Sequence, residues 1–152
     1  MSGFSAVLGN PPFLGGTKIS TSYGSIFLEF IKSNFAGPGN RCDLAGYFVQ
    51  KFYQITSINN FCSLIGPDSL AEGDTRRGGL LINIEQNGNI IDAVKRIPWQ
   101  GDAAVMVSLV TFCKGQYSRK ITLDGKEVSS ISAMLRKGVI HDSPDPLEEN
   151  AG

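Results

Sequence analysis

Four consecutive residues near the amino end, Asn10, Pro11, Pro12 and Phe13, have the types and spacing that best suit chemistry. Each proline fixes φ and lacks an N–H, so the main chain here is stiff and its carbonyl groups lack sheet or helix partners. The Asn10 amide oxygen and the Pro11 carbonyl can both accept hydrogen bonds, and Phe13 can stack on a flat ring. Together they suit a planar base that carries an exocyclic amino group.

These four residues, here called the NPPF segment (residues 10–13), follow a short apolar run, Phe4–Gly9. Ala6, Val7 and Leu8 are continuously apolar, which is typical of a central strand buried on both faces. In open α/β sheets, ligands bind at the carboxyl ends of the strands. The sequence therefore predicts a binding site at the end of this strand. A simple turn is the alternative interpretation, because Asn-Pro commonly initiates turns.

Two further blocks accompany the NPPF segment in order along the chain. They are Gly73-Asp74-Thr75-Arg76 and Trp99-Gln100-Gly101-Asp102-Ala103-Ala104-Val105. The NPPF segment resembles motif IV of amino-group DNA methyltransferases, specifically the adenine-N6 branch. The three blocks together resemble the methyltransferase region of the large MmeI-like restriction-modification enzymes and their phage-defence relatives, over about residues 4–135.

The resemblance implies an activity and a set of site residues. It implies methyl transfer from S-adenosylmethionine to the amine of a flipped adenine, with DNA as the partner. Asn10, Pro11, Pro12 and Phe13 would form the catalytic site. Further substrate or DNA contacts are expected at Lys18, Tyr23, Asp74 and Arg76.

Each of these further assignments has a structural alternative. Arg76 can be a solvated surface charge and Asp74 a helix cap. Phe13 can be a core aromatic and Trp99 a packed core or rim residue, and Lys18 and Tyr23 can be exposed residues of a glycine-rich loop. A protein glutamine amide offers a similar NH₂ group, although enzymes that act on it usually end this motif in tyrosine.

The cofactor site expected upstream of motif IV has no counterpart in this sequence. Only Met1, Ser2 and Gly3 precede Phe4, and residues 81–88 lack the G-x-G-x-x-G spacing. We therefore expect the carboxyl half of a catalytic domain, with no cofactor-binding residues of its own and no activity alone. Its first strand would expose an open edge, which favours a homodimer. A non-catalytic folded module is the alternative.

Composition is that of one folded domain without a dominant charge. The 152 residues are 41% hydrophobic, with 14 basic and 14 acidic side chains, so no net field attracts DNA. We expect one domain over residues 4–138 and a disordered tail over residues 139–152. We expect no signal peptide, and the sequence has no apolar run long enough to span a membrane.

Three cysteines are widely and irregularly spaced, and there is one histidine. Zinc or any other metal and a disulfide framework are therefore not expected. Cys62 and Cys113 lie in apolar runs, so we expect them to be buried, in a reduced, cytoplasmic protein.

The remaining pattern predicts alternating helices and strands. Residues 25–35 have helical spacing, and Asp43 is a good N-cap for a second helix with a stripe of Leu44, Tyr47, Phe48, Phe52 and Ile55. Asn59-Asn60 is expected to be a turn. Asp68 or Asp74 is expected to cap a helical stretch at residues 77–83.

Strands are predicted at residues 61–65, 90–97 and 105–112, and Asp124-Gly125 predicts a hairpin. This order predicts an α/β fold, the second half of a Rossmann-like methyltransferase sheet that lacks the cofactor-binding first half. By the resemblance, the sheet is mixed, with one antiparallel strand, residues 105–112, between the strands at residues 61–65 and 90–97.

Overall fold

The computed structural model describes residues 3–99 and 105–138, which form one mixed sheet with helices packed on it. The strands are β1 (Phe4–Gly9), β2 (Thr56–Pro67), β3 (Gly88–Pro98), β4 (Met106–Lys114), β5 (Ile121–Leu123) and β6 (Lys126–Val128). The helices are α1 (Gly16–Tyr23), α2 (Ser25–Asn34), α3 (Leu44–Ile55), α4 (Gly73–Arg76) and α5 (Ile82–Glu85). A 3₁₀ turn (Asp68–Ala71) follows β2, and a π-helical turn (Arg77–Leu81) joins α4 to α5.

The strand order is β1-β2-β4-β3-β5-β6, and β4 runs antiparallel between β2 and β3. The predicted fold class and the predicted position of the antiparallel strand are both confirmed. The predicted hairpin is also present, with Asp124 and Gly125 at φ 51° and 75°, as a two-residue type I′ turn requires. It adds a second antiparallel strand, β6, beside β5.

Helix α3 covers one face of the sheet and begins where expected. The Asp43 side chain accepts a hydrogen bond from the Ala45 N–H, so Asp43 is the N-cap. The predicted apolar stripe is only partly right, because Val49 and Tyr53 are fully buried whereas Phe52 is half-buried. The cause is that α3 packs on two sides, on the sheet through one stripe and on α2 through another.

The helical stretch after β2 packs closely on α3. A Cβ added to Gly79 would lie 3.3 Å from the Gly46 Cα, so the two backbones come almost into contact. The predicted cap is wrong, since Glu72 occupies the N-cap position without a side-chain bond. Asp68 instead begins the 3₁₀ turn, and the Asp74 carboxylate accepts from the main-chain N–H of Arg41.

Two segments predicted as loops have regular structure. The chain after the NPPF segment forms α1, so Lys18 and Tyr23 lie on a helix. Asn59 and Asn60 belong to β2, which starts at Thr56, earlier than expected, although Asn59 adopts φ 61° inside the strand. Asparagine tolerates this left-handed conformation, so it bends a strand here without ending it.

Strand β1 lies at the end of the sheet and, within the described residues, pairs only with β2. Phe4 is 63% exposed and Leu8 is 77% exposed. Burial on both faces, which the apolar run favours, is not found within the described residues, whereas the open outer edge that was expected of this strand is present there. The expected tail, residues 139–152, lies outside the described residues. No described helix is both long and apolar enough to cross a membrane.

Candidate active site

The NPPF segment forms part of a cleft at the carboxyl end of β1. The cleft has a volume of about 460 Å³ and is lined by Asn10, Pro11, Pro12, Phe13, Trp99 and Val105. Pro11 is buried and Asn10 is exposed, while the Phe13 side chain is 36% exposed. A rigid turn, an amide and an aromatic ring thus share one open surface.

The sheet brings Trp99 to this cleft from a distant part of the sequence. Trp99 directly follows β3 and Val105 directly precedes β4, and the Trp99 N–H donates to the Val105 carbonyl at 2.9 Å. Because β1 and β3 run in the same direction, their carboxyl ends lie at one edge of the sheet. Two of the three sequence blocks therefore meet. Residues 100–104, inside the third block, lie outside the described residues.

Sequence reasoning did not assign Trp99 to the site. Its side chain is 39% exposed, so it is a rim residue of the cleft and not a core residue. The sequence feature that could have placed Trp99 in the cleft is its position immediately after a strand that runs parallel to β1. That signal becomes usable only when the strand order is known.

Asp43 fixes the position of Leu14, the residue that directly follows the NPPF segment. Its Oδ1 accepts from the Leu14 N–H at 3.2 Å as well as from the Ala45 N–H at 2.8 Å. The Leu44 N–H in turn donates to the Leu14 carbonyl at 2.9 Å. The residue that follows Phe13 is therefore fixed on both its main-chain groups to the start of α3.

Two residues of the second sequence block, Asp74 and Thr75, accept hydrogen bonds from the turn that contains Asp43. The buried Thr75 hydroxyl accepts from the Asp43 N–H at 2.9 Å, and Asp74 Oδ2 accepts from the Arg41 N–H at 2.9 Å. The Asp43 N–H is buried, and without a partner it would cost about 1–3 kcal/mol. The Arg41 bond lies at the surface and adds a second attachment of the turn before α3. The structure places Asp74 in this internal contact and outside the NPPF cleft.

The other predicted contact residues also lie away from the cleft. Lys18 is exposed on α1, and the Tyr23 ring packs 5.1 Å from the Phe27 ring, measured between centroids. Arg76 is 8% exposed and lines a separate cleft. The structure thus joins Asn10, Pro11, Pro12 and Phe13 with Trp99, and it leaves Lys18, Tyr23, Asp74 and Arg76 elsewhere.

Perturbed ionisation occurs in the protein interior and not in the NPPF cleft. Burial raises the pKa of Cys42 to about 12 and that of Cys62 to about 11, and burial also raises the pKa of Cys113. All three thiols are free and buried, as predicted for Cys62 and Cys113. No described residue that lines the NPPF cleft has a titratable side chain. The described residues that line the cleft can accept hydrogen bonds and stack on a ring, and they supply no acid or base.

The described residues do not form the body of an S-adenosylmethionine site. That site requires a glycine-rich loop that directly follows a strand and brings the backbone close to the cofactor. β1 is followed by prolines, β2 by a 3₁₀ turn, and the described chain after β4 and β6 has no G-x-G-x-x-G spacing.

The mixed sheet has a Rossmann-like architecture, and the NPPF cleft lies at the carboxyl end of its strand β1. A family profile described as Eco57I restriction-modification methylase matches residues 1–95. The chain belongs to that family, and the predicted resemblance to restriction-modification methyltransferases is confirmed. No functionally curated protein matches the sequence.

Solved structures of similar proteins show the same fold. The type IIL restriction-modification enzyme MmeI, in complex with DNA, is 21% identical with a TM-score of 0.62 over 88% of this chain. The M protein of the type I restriction enzyme EcoKI is 19% identical, with a TM-score of 0.53 over 76% of this chain. A Listeria monocytogenes protein described as a class I S-adenosylmethionine-dependent methyltransferase is 15% identical, with a TM-score of 0.54 over 80%.

The chain spans only a part of these relatives. It covers 20% of the MmeI chain, 22% of the EcoKI M protein and 35% of the Listeria protein.

Proposed function

We propose that this chain carries the target-base half of the active site of an adenine-N6 DNA methyltransferase. The observation that carries the proposal is the single cleft formed by the NPPF segment and Trp99 at the carboxyl end of β1. A family of restriction-modification methylases provides the reaction class and the DNA substrate. The residue types in the cleft suggest which base is accepted.

In this proposal, Asn10 and Pro11 bind the exocyclic amine of the base. The Asn10 amide oxygen and the Pro11 carbonyl each accept one N–H, which draws the nitrogen lone pair out of conjugation with the ring. The stiff prolines keep both acceptors in place without a rearrangement during the reaction. No proton needs to be removed first, which agrees with the absence of titratable side chains among the described residues that line the cleft.

Phe13 and Trp99 hold the ring of the base. A base that is stacked on an aromatic side chain gains about 1–3 kcal/mol per contact. The base must leave the duplex to reach the cleft, because its amine is inaccessible within the stack. Two partly exposed aromatics in one cleft provide the stacking surface that replaces the lost base stacking.

The proposed methyl donor is S-adenosylmethionine, which supplies an electrophilic methyl group to the bound amine. Since the described residues do not form its site, we propose that another polypeptide segment binds it beside β1. On this proposal the chain alone is inactive and binds the cofactor weakly or not at all. Stoichiometric micromolar binding of S-adenosylmethionine to the chain alone, measured by calorimetry, would contradict this part.

The decisive experiment measures labelled methyl transfer by this chain joined to a segment that carries the cofactor loop. Asn10→Ala is expected to lower the rate by about two orders of magnitude or more, because two well-placed acceptors stabilise the transition state. Cofactor affinity is expected to remain unchanged. Asn34→Ala, the same change at an exposed position of α2, is the matched control.

Analysis of the product separates the rival functions. N6-methyladenine in DNA supports the proposal, whereas methylation of cytosine N4 or of a glutamine amide in protein would replace it. Full activity of the Asn10→Ala protein would remove the NPPF segment from the mechanism. A joined protein that folds but transfers no methyl group to any substrate supports the non-catalytic alternative.

A further inference from the structure

A second cleft, here called the basic cleft, has an excess of positive charge. Its volume is about 400 Å³. Its charged lining residues are Asp68, Glu72, Arg76, Lys95, Arg96 and Arg136. Four of these six are basic, whereas the whole chain has equal numbers of basic and acidic residues. The local field therefore attracts anions although the net charge of the protein is zero.

The carboxylates near the basic cleft neutralise this charge only in part. Lys95 is held by Asp124, with 3.6 Å between Nζ and Oδ2. The Arg96 Nε lies 3.8 Å from Asp68 Oδ2, and the Arg96 side chain is 72% exposed. A guanidinium has five N–H donors, so one long contact leaves most of the Arg96 donors directed to solvent. An anion with several oxygens can accept from them.

The backbone at Arg96 is unusual and fixes the direction of this side chain. Arg96 adopts φ 55°, in the left-handed region that arginine rarely occupies, and the β3–β4 register shifts between Val94 and Ile97. Such a bulge turns a side chain out of the regular alternation of the strand. Strained residues of this kind concentrate at functional sites. On α4, Arg76 is 8% exposed, so its charge is held in a fixed place within the fold.

We propose that the basic cleft binds a phosphate group of the DNA backbone, an inference that rests on the DNA methyltransferase function proposed above. Asp68 directly follows β2, and Arg96 lies near the carboxyl end of β3, so the basic cleft and the NPPF cleft share one edge of the sheet. The strands β1 and β3 are three strand spacings apart, about 14 Å. That distance corresponds to about four base-pair rises in a duplex. One DNA molecule can therefore reach both clefts.

The test uses a short duplex built only from G·C pairs, so its outcome does not depend on adenine recognition. Binding is measured by fluorescence anisotropy across a salt series. Arg136→Gln removes an exposed charge, and Arg96→Asn removes a charge with a residue that tolerates the left-handed backbone. Arg119→Gln is the matched control, because Arg119 is exposed between β4 and β5 at the opposite edge of the sheet.

Each of the two cleft variants is expected to lower the salt slope by about one and to weaken binding on the order of tenfold at low salt. Arg119→Gln is expected to bind like the unchanged chain. Equal weakening by all three variants would show a net-charge effect and overturn the proposal, as would no weakening by either cleft variant. Inorganic phosphate could shift the NMR signals of Gly73 and Arg96 while both cleft variants bind the duplex as tightly as the unchanged chain. In that case the site holds a small anion and the DNA assignment is wrong. If both variants act as expected while Asn10→Ala keeps full methyl transfer, the phosphate site stands and only the adenine assignment fails.

Discussion

The main-chain N–H of Leu14 donates to Oδ1 of Asp43 at 3.2 Å, across 29 positions of sequence. Through this bond one carboxylate serves two purposes, because the same oxygen caps α3 through Ala45. The loop that holds Asn10 and Phe13 thus begins at the end of β1 and, before it enters α1, is hydrogen-bonded at Leu14 to the start of α3. Both ends are attached to regular structure.

Asp43→Ala is expected to lower the free energy of unfolding by about 1–2 kcal/mol, because a helix cap and a loop anchor are lost together. Asp43→Asn keeps an acceptor oxygen at the same place and is expected to lose less than half as much. Urea unfolding followed by circular dichroism measures both. Equal losses in the two variants would mean that the negative charge, and not the hydrogen bonds, is what matters.

Trp99 is the one tryptophan of the chain and lines the NPPF cleft, so its fluorescence reports on occupancy of that cleft. A duplex with an unpaired adenine is expected to quench it on binding. Phe13→Ala is expected to weaken this binding by about 1–3 kcal/mol, the value of one stacking contact. Phe30→Ala, an exposed aromatic on α2, is the control. An unpaired adenine that binds without any change in Trp99 fluorescence would place the base elsewhere.

The buried thiols and phenols predict a loss of stability in alkali. The ordinary pKa of a cysteine is 9.0, and burial raises that of Cys42 to about 12 and that of Cys62 to about 11. Burial likewise raises the pKa of Tyr47 and of Tyr53 to about 12. The folded chain therefore keeps protons that the unfolded chain releases, so these groups lower the free energy of unfolding as the pH rises above about 9.

Urea midpoints at pH 7, 8 and 10 test this expectation. The midpoint is expected to be similar at the first two values and to fall at the third. Native thiols are expected to react slowly with a disulfide reagent at pH 8 and quickly in urea. One thiol that reacts at once in the native protein would contradict the burial of all three.

The outer edge of β1 pairs with no other described strand, so we predict concentration-dependent self-association of the chain, in which its main-chain groups and exposed Leu8 meet a second copy. Leu8→Lys places a charge on this strand and is expected to favour the monomer. Light scattering after size-exclusion chromatography measures the mass of both proteins. A strictly monomeric unchanged chain at high concentration, with β1 protected from hydrogen exchange, would contradict the expectation.

Local chemistry made much of this fold predictable. Asp43 as an N-cap, the Asp124-Gly125 hairpin and the apolar runs of β3 and β4 each follow from a few neighbouring residues. The failures have long-range causes. α1 forms although glycines open it, and β2 continues through Asn59 because pairing across the sheet outweighs the local turn signal.

The candidate site was predictable only in part for the same reason. The NPPF segment is contiguous, so its residue types and order were sufficient to single it out. Trp99 belongs to the cleft through strand order alone. Asp74 has a carboxylate, which suits a ligand contact, but this carboxylate accepts a hydrogen bond from the Arg41 N–H. No local sequence pattern indicates that partner.

The hydrogen bonds from the Asp43 N–H to the Thr75 hydroxyl and from the Leu14 N–H to the Asp43 carboxylate have a consequence for protein engineering. The NPPF segment is therefore not a unit that can be exchanged between family members by itself. A transplanted loop keeps its shape only in a host that supplies a carboxylate or amide at the position of Asp43 and a hydroxyl at the position of Thr75. Chimeras should therefore be designed with these three segments inherited from one parent.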